Sequence, residues 1–440
     1  MKNKGLSLNT IPPLFIPLRF FLTAPLFGIL SALLILYHGP EIWTSRWLAG
    51  SLALTHLITI GFMLMVMIGA LFQFIPVMTG RLVPGCVRLV PLIHPLLIVG
   101  ALSLCSAFLV PIPVLYWLAF ISLGFGLLLF ALSLMRLLVS VFDNQLIVFL
   151  LRILFAVLLI TIGLGLFMLL AYGIPELGIS FRHYTDIHAL WGMVGWVVLL
   201  IMAISSQVIP MFYVTPEFSV RYLKVLSFVI MVTIALISLL KLMTVSGSIV
   251  QVREVINIIF SCELTFFALY TLYLINHRKR KIPDVTINSF RLALISLLAA
   301  IAFWWLFKGG EQRFGFILAI ILLYGLALSA IVGMLQKIVP FIIYLHLQKL
   351  SLKHPGTISL IPSMKKIITT QTSQKQFVLH LLSYLLLLAS VFYTQLIWFA
   401  GTFMLLNFIW LGFSLVQSVH LFKRKQTQIQ TYPELEIPSF

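Results

Sequence analysis

Two histidines combine a residue type that binds metals with a spacing that matches. His56 lies in Thr55-His56-Leu57-Ile58-Thr59-Ile60-Gly61, and His188 in Asp186-Ile187-His188-Ala189-Leu190-Trp191-Gly192. Each sits early in a long apolar run that ends on a glutamine and a proline, Gln73 to Pro76 and Gln207 to Pro210. His56 precedes its proline by 20 residues (76 − 56) and His188 precedes its own by 22 (210 − 188). At about 1.5 Å per helical residue these intervals are roughly 30 and 33 Å, so the two imidazoles stand at nearly the same depth. Matched depth on two related helices is what a shared metal or haem site requires, because neutral imidazole ligates copper, zinc and haem iron alike. His183 lies within a turn or two of His188 and is a third candidate metal ligand. Asp186 is placed either to orient an imidazole or to cap the helix, and the cap is the commoner use. The plain alternative for each histidine is an interfacial side chain hydrogen-bonded to a loop or a lipid headgroup.

The elements that would hold these residues are long. The glutamine–proline signature occurs a third time, as Gln336-Lys337-Ile338-Val339-Pro340, and the three prolines are 134 and 130 residues apart (210 − 76 and 340 − 210). A motif at near-equal spacing marks an internal repeat. Apolar residues make up 61% of the 440 and charged residues 9%, where a soluble domain carries about a quarter charged. A span needs about 20 apolar residues to cross a bilayer. Twelve such runs lie near 16–38, 50–78, 89–110, 113–138, 144–173, 185–212, 220–245, 250–276, 286–308, 315–346, 377–395 and 397–422. Each interval between signatures holds four of them. The expected fold is an all-α integral membrane protein of twelve transmembrane helices in three four-helix repeats, because only closed backbone hydrogen bonding survives in hydrocarbon.

Lys and Arg set the expected orientation. With a cytoplasmic N-terminus the inner segments collect Lys2, Lys4, Arg81, Arg88, the run Arg278 to Lys281, Lys365, Lys366 and Lys423 to Lys425. The outer segments hold only Arg46, Arg182, Arg253, Lys308 and Arg313. Both termini are then cytoplasmic. The net charge of +18 follows from topology and attraction to an anionic leaflet, not from nucleic-acid binding. Residues 1–425 form one polytopic domain with a polar cytoplasmic loop at 351–376, and 426–440 read as a disordered cytoplasmic tail. The first apolar run is too long, and lacks the small-residue cleavage site, to be a signal peptide. Cys86, Cys105 and Cys262 make no CxxC pair and no disulfide framework. With short outer loops, any function lies in the bilayer.

Other polar residues at membrane depth are read singly. Gly61, Gly69, Gly192 and Gly195 suit close helix packing, or the approach of a flat cofactor. Met63, Met65, Met67, Met193 and Met202 are soft enough for Cu(I), but methionine is common as a gap filler. Each signature glutamine is expected to bond a carbonyl freed by its proline. Glu263 is the carboxylate nearest mid-membrane, either a proton relay or a neutral hydrogen-bonded group. Arg152 and Lys241 are expected to snorkel to opposite faces. His346 lies at the inner end, away from the outer histidines, and His94, His380 and His420 match no repeat position.

The arrangement resembles subunit I of the haem-copper oxidases, whose second and sixth helices carry a low-spin haem ligand and a copper ligand toward the outer side. His56 and His188 stand at the corresponding places. Their two helices also resemble those of the NnrS family, a haem- and copper-containing offshoot. With Leu18-Arg19-Phe20-Phe21 and Gly333 to Phe341 they resemble a group of bacterial polytopic membrane proteins. The resemblance implies haem b or copper at His56 and His188, and a bacterial inner-membrane location. It also implies a role in redox, nitric-oxide or metal stress, or in the assembly of respiratory complexes, which would then be partners alongside the lipid bilayer. The departures count against oxygen reduction: residues 220–245 contain no histidine, and the tenth span has Ile320 and Tyr324-Gly325 where ligands are expected. A dinuclear centre lacks most of its ligands, which leaves enzymatic activity open. The rival class is a transporter or metal chaperone on the same fold, with Glu263 coupling transport.

Overall fold

Apolar runs fold as helices in a bilayer because no water is there to satisfy a peptide group outside them. The computed structural model describes residues 11–141, 146–174, 176, 182–243, 247–282 and 284–432, without the side chains of residues 182, 183, 247 and 248. Among these residues there is no strand. Twelve long helices follow in order: α1 (Phe15–His38), α2 (Ala49–Thr79), α3 (Cys86–Leu109), α4 (Pro113–Ser140), α5 (Leu146–Gly173) and α6 (Arg182–Tyr213), then α7 (Val220–Leu242), α8 (Gly247–Asn276), α9 (Val285–Phe307), α10 (Gln312–Ser351), α11 (Thr370–Ser390) and α12 (Ile397–Gln430). The chain is an all-α, multi-pass membrane protein.

Eleven of these helices are long and apolar enough to cross a membrane, one fewer than the twelve expected spans. The difference is α11. It is helical, but it opens on the polar run Thr370 to Gln376, and its buried face carries Gln376, His380, Ser383, Tyr384 and Ser390. A short 3₁₀ turn at Thr394–Leu396 folds it back, and it packs against α12. The expected disordered tail from residue 426 is also corrected: α12 continues through Gln430, and Ile429 is fully buried. Residues 433–440 of that tail lie outside the described residues. The polar loop at 351–376 is structured over much of its length, by a 3₁₀ turn at Thr357–Leu360, one helical turn at Met364–Ile367 and the start of α11 at Thr370.

Three helices share a feature that hydropathy does not mark. Helices α2, α6 and α10 each switch from α to π geometry for eight residues, at Leu57–Leu64, Trp191–Val198 and Ile321–Leu328. Each π segment begins 19 residues before its signature proline (76 − 57, 210 − 191 and 340 − 321). A π turn widens the helix yet keeps its backbone bonded, and such turns frequently occur at functional sites. The π segment of α10 touches those of both α2 and α6.

Glycines repeat with the same phase. Gly61, Gly195 and Gly325 each stand 15 residues before the proline and inside a π segment. A Cβ at Gly61 would collide with the Phe27 ring of α1; at Gly195 it would lie 2.7 Å from Val157 of α5; at Gly325 it would lie 2.6 Å from the Ser296 hydroxyl of α9. One turn-pair further on, Gly69 meets Phe20 and Gly333 meets Ser289 in the same way. Each inner helix therefore approaches the helix before it at distances that only glycine allows.

The prolines do not all end helices. Pro76 and Pro210 are followed by three more helical residues, but α10 runs from Pro340 to Ser351. The expected glutamine-to-carbonyl bonds form at none of Gln73, Gln207 and Gln336. Both amide atoms of Gln73 are buried without a partner, and Gln336 accepts instead from the Ser373 hydroxyl of α11 at 3.0 Å. Beside Gln336, Lys337 donates to Asp284 at 2.7 Å and lies over the Phe212 and Tyr213 rings, joining the proline ends of α6, α9 and α10.

Two expectations follow. Gly61→Ala and Gly333→Ala are each expected to destabilise the detergent-solubilised protein by about 1–3 kcal/mol through overpacking. Gly163→Ala, with nothing within 4 Å, should leave the thermal melt unchanged. For Asp284, burial works to raise the carboxyl, but the hydrogen bond and charge of Lys337, with the Thr286 amide, outweigh it and hold the group below its ordinary value. A carboxyl lowered in this way stabilises the fold above its unfolded pKa of about 3.9, and that contribution is lost as pH falls through the lower folded value. Melts taken down that acid range should show the loss in the wild type and not in Asp284→Asn.

Candidate functional site

The π segments leave space where the three inner helices meet. A cavity of about 1380 Å³ is walled by them, through Ile58, Met63, Gly192, Val197 and Tyr324 among others, and its lining is mostly apolar. Both sequence-predicted histidines line it. His56 is the last α-helical residue before its π segment, and His188 stands three residues before its own.

His56 is held in a defined tautomer. Its Nδ1 lies 2.8 Å from the Leu52 carbonyl oxygen, and a carbonyl can only accept, so Nδ1 carries the proton. Nε2 then keeps its lone pair and has no hydrogen-bond partner among the described residues. A backbone carbonyl bonded to one imidazole nitrogen is a common way of orienting a ligating histidine. The ring rests against Phe108, 5.3 Å between centroids, and Phe108 leads to Tyr172 and Tyr116, an aromatic wall from α3 to α5. His188 sits over Gly165 of α5, where an added Cβ would lie 3.1 Å from its Cε1. Its Nδ1 is buried with no hydrogen-bond partner. An imidazole nitrogen left bare in an apolar cavity is costly unless something else binds there.

The mouth of the cavity is charged. Asp186 accepts from Arg46 at 2.8 Å and from Lys241 at 3.0 Å, bridging the chain ahead of α2, α6 and α7. Lys308 pairs with Glu254 at 2.6 Å and covers the Trp305 ring at 4.0 Å. Arg253 also lines the mouth and makes no salt bridge among the described residues. Asp186 is therefore neither the helix cap expected from the sequence, since the helix already starts at Arg182, nor a partner of His188. It anchors two cations.

The remaining candidates separate. The His183 side chain lies outside the described residues. Glu263 is buried between α7 and α8, accepts from Thr233 at 2.9 Å and leaves Oε2 without a partner, but it does not line the cavity. Met63, Met67 and Met193 line it, whereas Met65 and Met202 are buried elsewhere. Arg152 reaches the carbonyls of Leu138 and Val141 at the end of α4, and Lys241 reaches the cavity mouth, the opposite directions expected of them. His346 sets one ring nitrogen against the Ile342 carbonyl and the other against that of Pro12, a neutral ring donating to one of them, and His94 pairs with Thr23, so both are structural. Among the described residues no group of three or more His, Cys, Asp or Glu side chains is arranged to hold a metal ion.

No protein-family model matches this chain, and no curated protein does. A ligand reaching this cavity meets one oriented imidazole, a second with a bare nitrogen, thioethers, and a cationic rim. Sequence reasoning found the histidines and missed the rim, because Arg46, Asp186, Lys241 and Arg253 are far apart in the chain and carry no shared motif.

The rim pairs are half-exposed, with Arg46 at 51% and Asp186 at 42%, so water screens them. Asp186→Asn is expected to cost no more than about 1 kcal/mol in stability, with a smaller effect still at high salt, as read by thermal melts in detergent.

Proposed function

We propose that the chain is a cofactor-binding membrane protein built like subunit I of the haem-copper oxidases, with a haem of the b type, or copper, held in the cavity by His56 and His188. The observation that carries this reading is the His56 tautomer: Nδ1 tied to a backbone carbonyl and Nε2 free toward an apolar cavity large enough for a macrocycle. The cationic rim of Arg46, Lys241, Arg253 and Lys308 would meet carboxylates at a macrocycle's edge, and the bare His188 nitrogen offers a second contact. When bound, such a group supplies one-electron redox chemistry or binding of a small diatomic ligand. The chain's own part is to orient the imidazoles, exclude water with apolar walls, and balance charge at the rim.

The repeat of π segment, glycine and proline at fixed intervals supports three related four-helix units, and the basic residues in one set of loops support cytoplasmic termini in a bacterial inner membrane. Reduction of oxygen is not part of the proposal. The positions of α10 that match the two histidines by distance from the proline are Ile320 and Leu318, and the Tyr324 hydroxyl is already bonded to Asn407 at 3.1 Å. The role proposed is therefore in redox, nitric-oxide or metal stress, or in respiratory-complex assembly. Met63, Met67 and Met193 on the cavity wall favour a second reading, a copper-handling protein that holds Cu(I) transiently through soft ligands.

The test is an absorbance spectrum and metal analysis of the detergent-purified protein, oxidised and dithionite-reduced. The expected result is a Soret band that sharpens on reduction and is lost in His56→Ala or His188→Ala. Stoichiometric copper without haem would favour the second reading. Neither group, in protein supplied with both, would sink the shared-site proposal.

A further inference from the structure

The helix that falls short of the hydropathy of a span has a use for its polarity. Five side chains of α11, Gln376, His380, Ser383, Tyr384 and Ser390, point into the bundle and are buried. Polar groups at such depth are costly and mark pathways for ions or protons. Their partners come from three other helices. Gln376 donates to the Asn407 side chain of α12 at 2.6 Å, and Asn407 in turn donates to the Tyr324 hydroxyl of α10 at 3.1 Å. His380 Nε2 pairs with the Ser329 hydroxyl at 2.8 Å, and Tyr384 with the Ser296 hydroxyl of α9 at 3.3 Å. The rings of His380 and Tyr384 flank that of Tyr324 nearly parallel, at 4.7 and 6.3 Å.

This seam has two ends. Tyr324 forms part of the cavity wall, and the cavity reaches the helix ends at Arg46 and Lys308. At the other end, one turn before Gln376, Ser373 bonds Gln336 near Pro340 and is only partly buried. The seam is interrupted, and unpaired atoms lie where it breaks. Gln336 Nε2 and Gln376 Oε1 are buried without partners on either side of the step from Ser373 to Gln376, and His380 Nδ1 is bare beside Tyr324. Buried water sits at such places, making two to four hydrogen bonds to groups the protein leaves unsatisfied.

We propose that the seam between α9, α10, α11 and α12 is a hydrated proton path, running from the proline end of the bundle at Ser373 and Gln336 to the cavity wall at Tyr324. A proton entering at the Ser373 end passes along water; each water or imidazole that accepts one proton releases another onward, so one proton leaves into the cavity for each that enters. Nothing is oxidised or reduced. His380 suits this task, since it has a proton-exchanging nitrogen on either side, while Asn407 and Gln376 hold the water in file. The proposal does not depend on which group fills the cavity.

The experiment uses the full chain in potassium-loaded vesicles with valinomycin and an internal pH dye. Proton uptake driven by the diffusion potential is expected to exceed that of protein-free vesicles several-fold. It should fall to near the protein-free rate in Gln376→Leu and His380→Phe, and stay at the wild-type rate in Ser418→Ala, a buried α12 hydroxyl bonded only within its own helix. A wild-type rate equal to that of empty vesicles would overturn the proposal, as would unchanged flux in both seam variants. Should those variants fail to fold, hydroxyl-radical labelling of the wild type decides: Tyr324 and Tyr384 labelled by internal water support the path, and their protection overturns it. The haem and copper assay reads none of these outcomes, so the two proposals stand or fall apart.

Discussion

A cavity inside a bilayer has to be made without leaving peptide groups unbonded, and that constraint organises this molecule. Breaking a helix would strand donors and acceptors in hydrocarbon. Widening it does not. The π segments of α2, α6 and α10 keep the backbone bonded while separating the side chains of the three inner helices enough to leave about 1380 Å³ between them. The widened turns are then held from outside. Gly61, Gly195 and Gly325 let α1, α5 and α9 press directly onto the π backbone, so the space opens inward rather than toward lipid. Packing stands in for the hydrophobic effect, which cannot drive one apolar helix against another in an apolar solvent.

Charge is distributed to fit this frame. At the histidine end, Asp186 gathers Arg46 and Lys241 from separate parts of the chain, and Lys308 pairs with Glu254. At the proline end, Asp284 and Lys337 tie α9 to α10 in a more buried setting, 27% and 14% exposed. The rim pairs are wet and can exchange partners with a ligand. The proline-end pair is drier and holds helices in place. Between the two ends a seam along α11 gathers polar side chains from four helices, and Glu263 and Thr233 form a second buried pair between α7 and α8.

Much of this was legible in the residues. Each of the twelve apolar runs is a helix, eleven of them apolar enough to cross a membrane, and His56 and His188, paired by the proline interval, line one cavity. What escaped has identifiable causes. The π segments show in the residues only as a glycine 15 positions before each proline, and close helix packing explains such a glycine equally well. The bilayer face of α11 looks weakly apolar because its inner face is polar, a distinction that a hydropathy average erases. Asp186 looked like a cap because its partners, Arg46 and Lys241, are 140 and 55 residues away in sequence. The glutamines before the prolines were expected to serve their own helices; Gln336 serves α11, and Gln73 has no partner. The residues from 426 looked like a polar tail, but Ile429 buries its side chain and extends the helix.

The π segments also set how the two halves of each inner helix are turned relative to one another. Each sits between an outer half, histidine-bearing in α2 and α6, and a proline-bearing half of one helix, and it absorbs surplus residues that an α-helix of the same rise would not need. Letting the segment relax to α geometry at constant length would turn the N-terminal half about the helix axis relative to the proline half, because an α turn closes in 3.6 residues and a π turn takes more. His56 would then leave the cavity with its chemistry intact and its address lost. The geometry of the turn between His56 and Pro76 is thus as much a part of the site as the side chains on it.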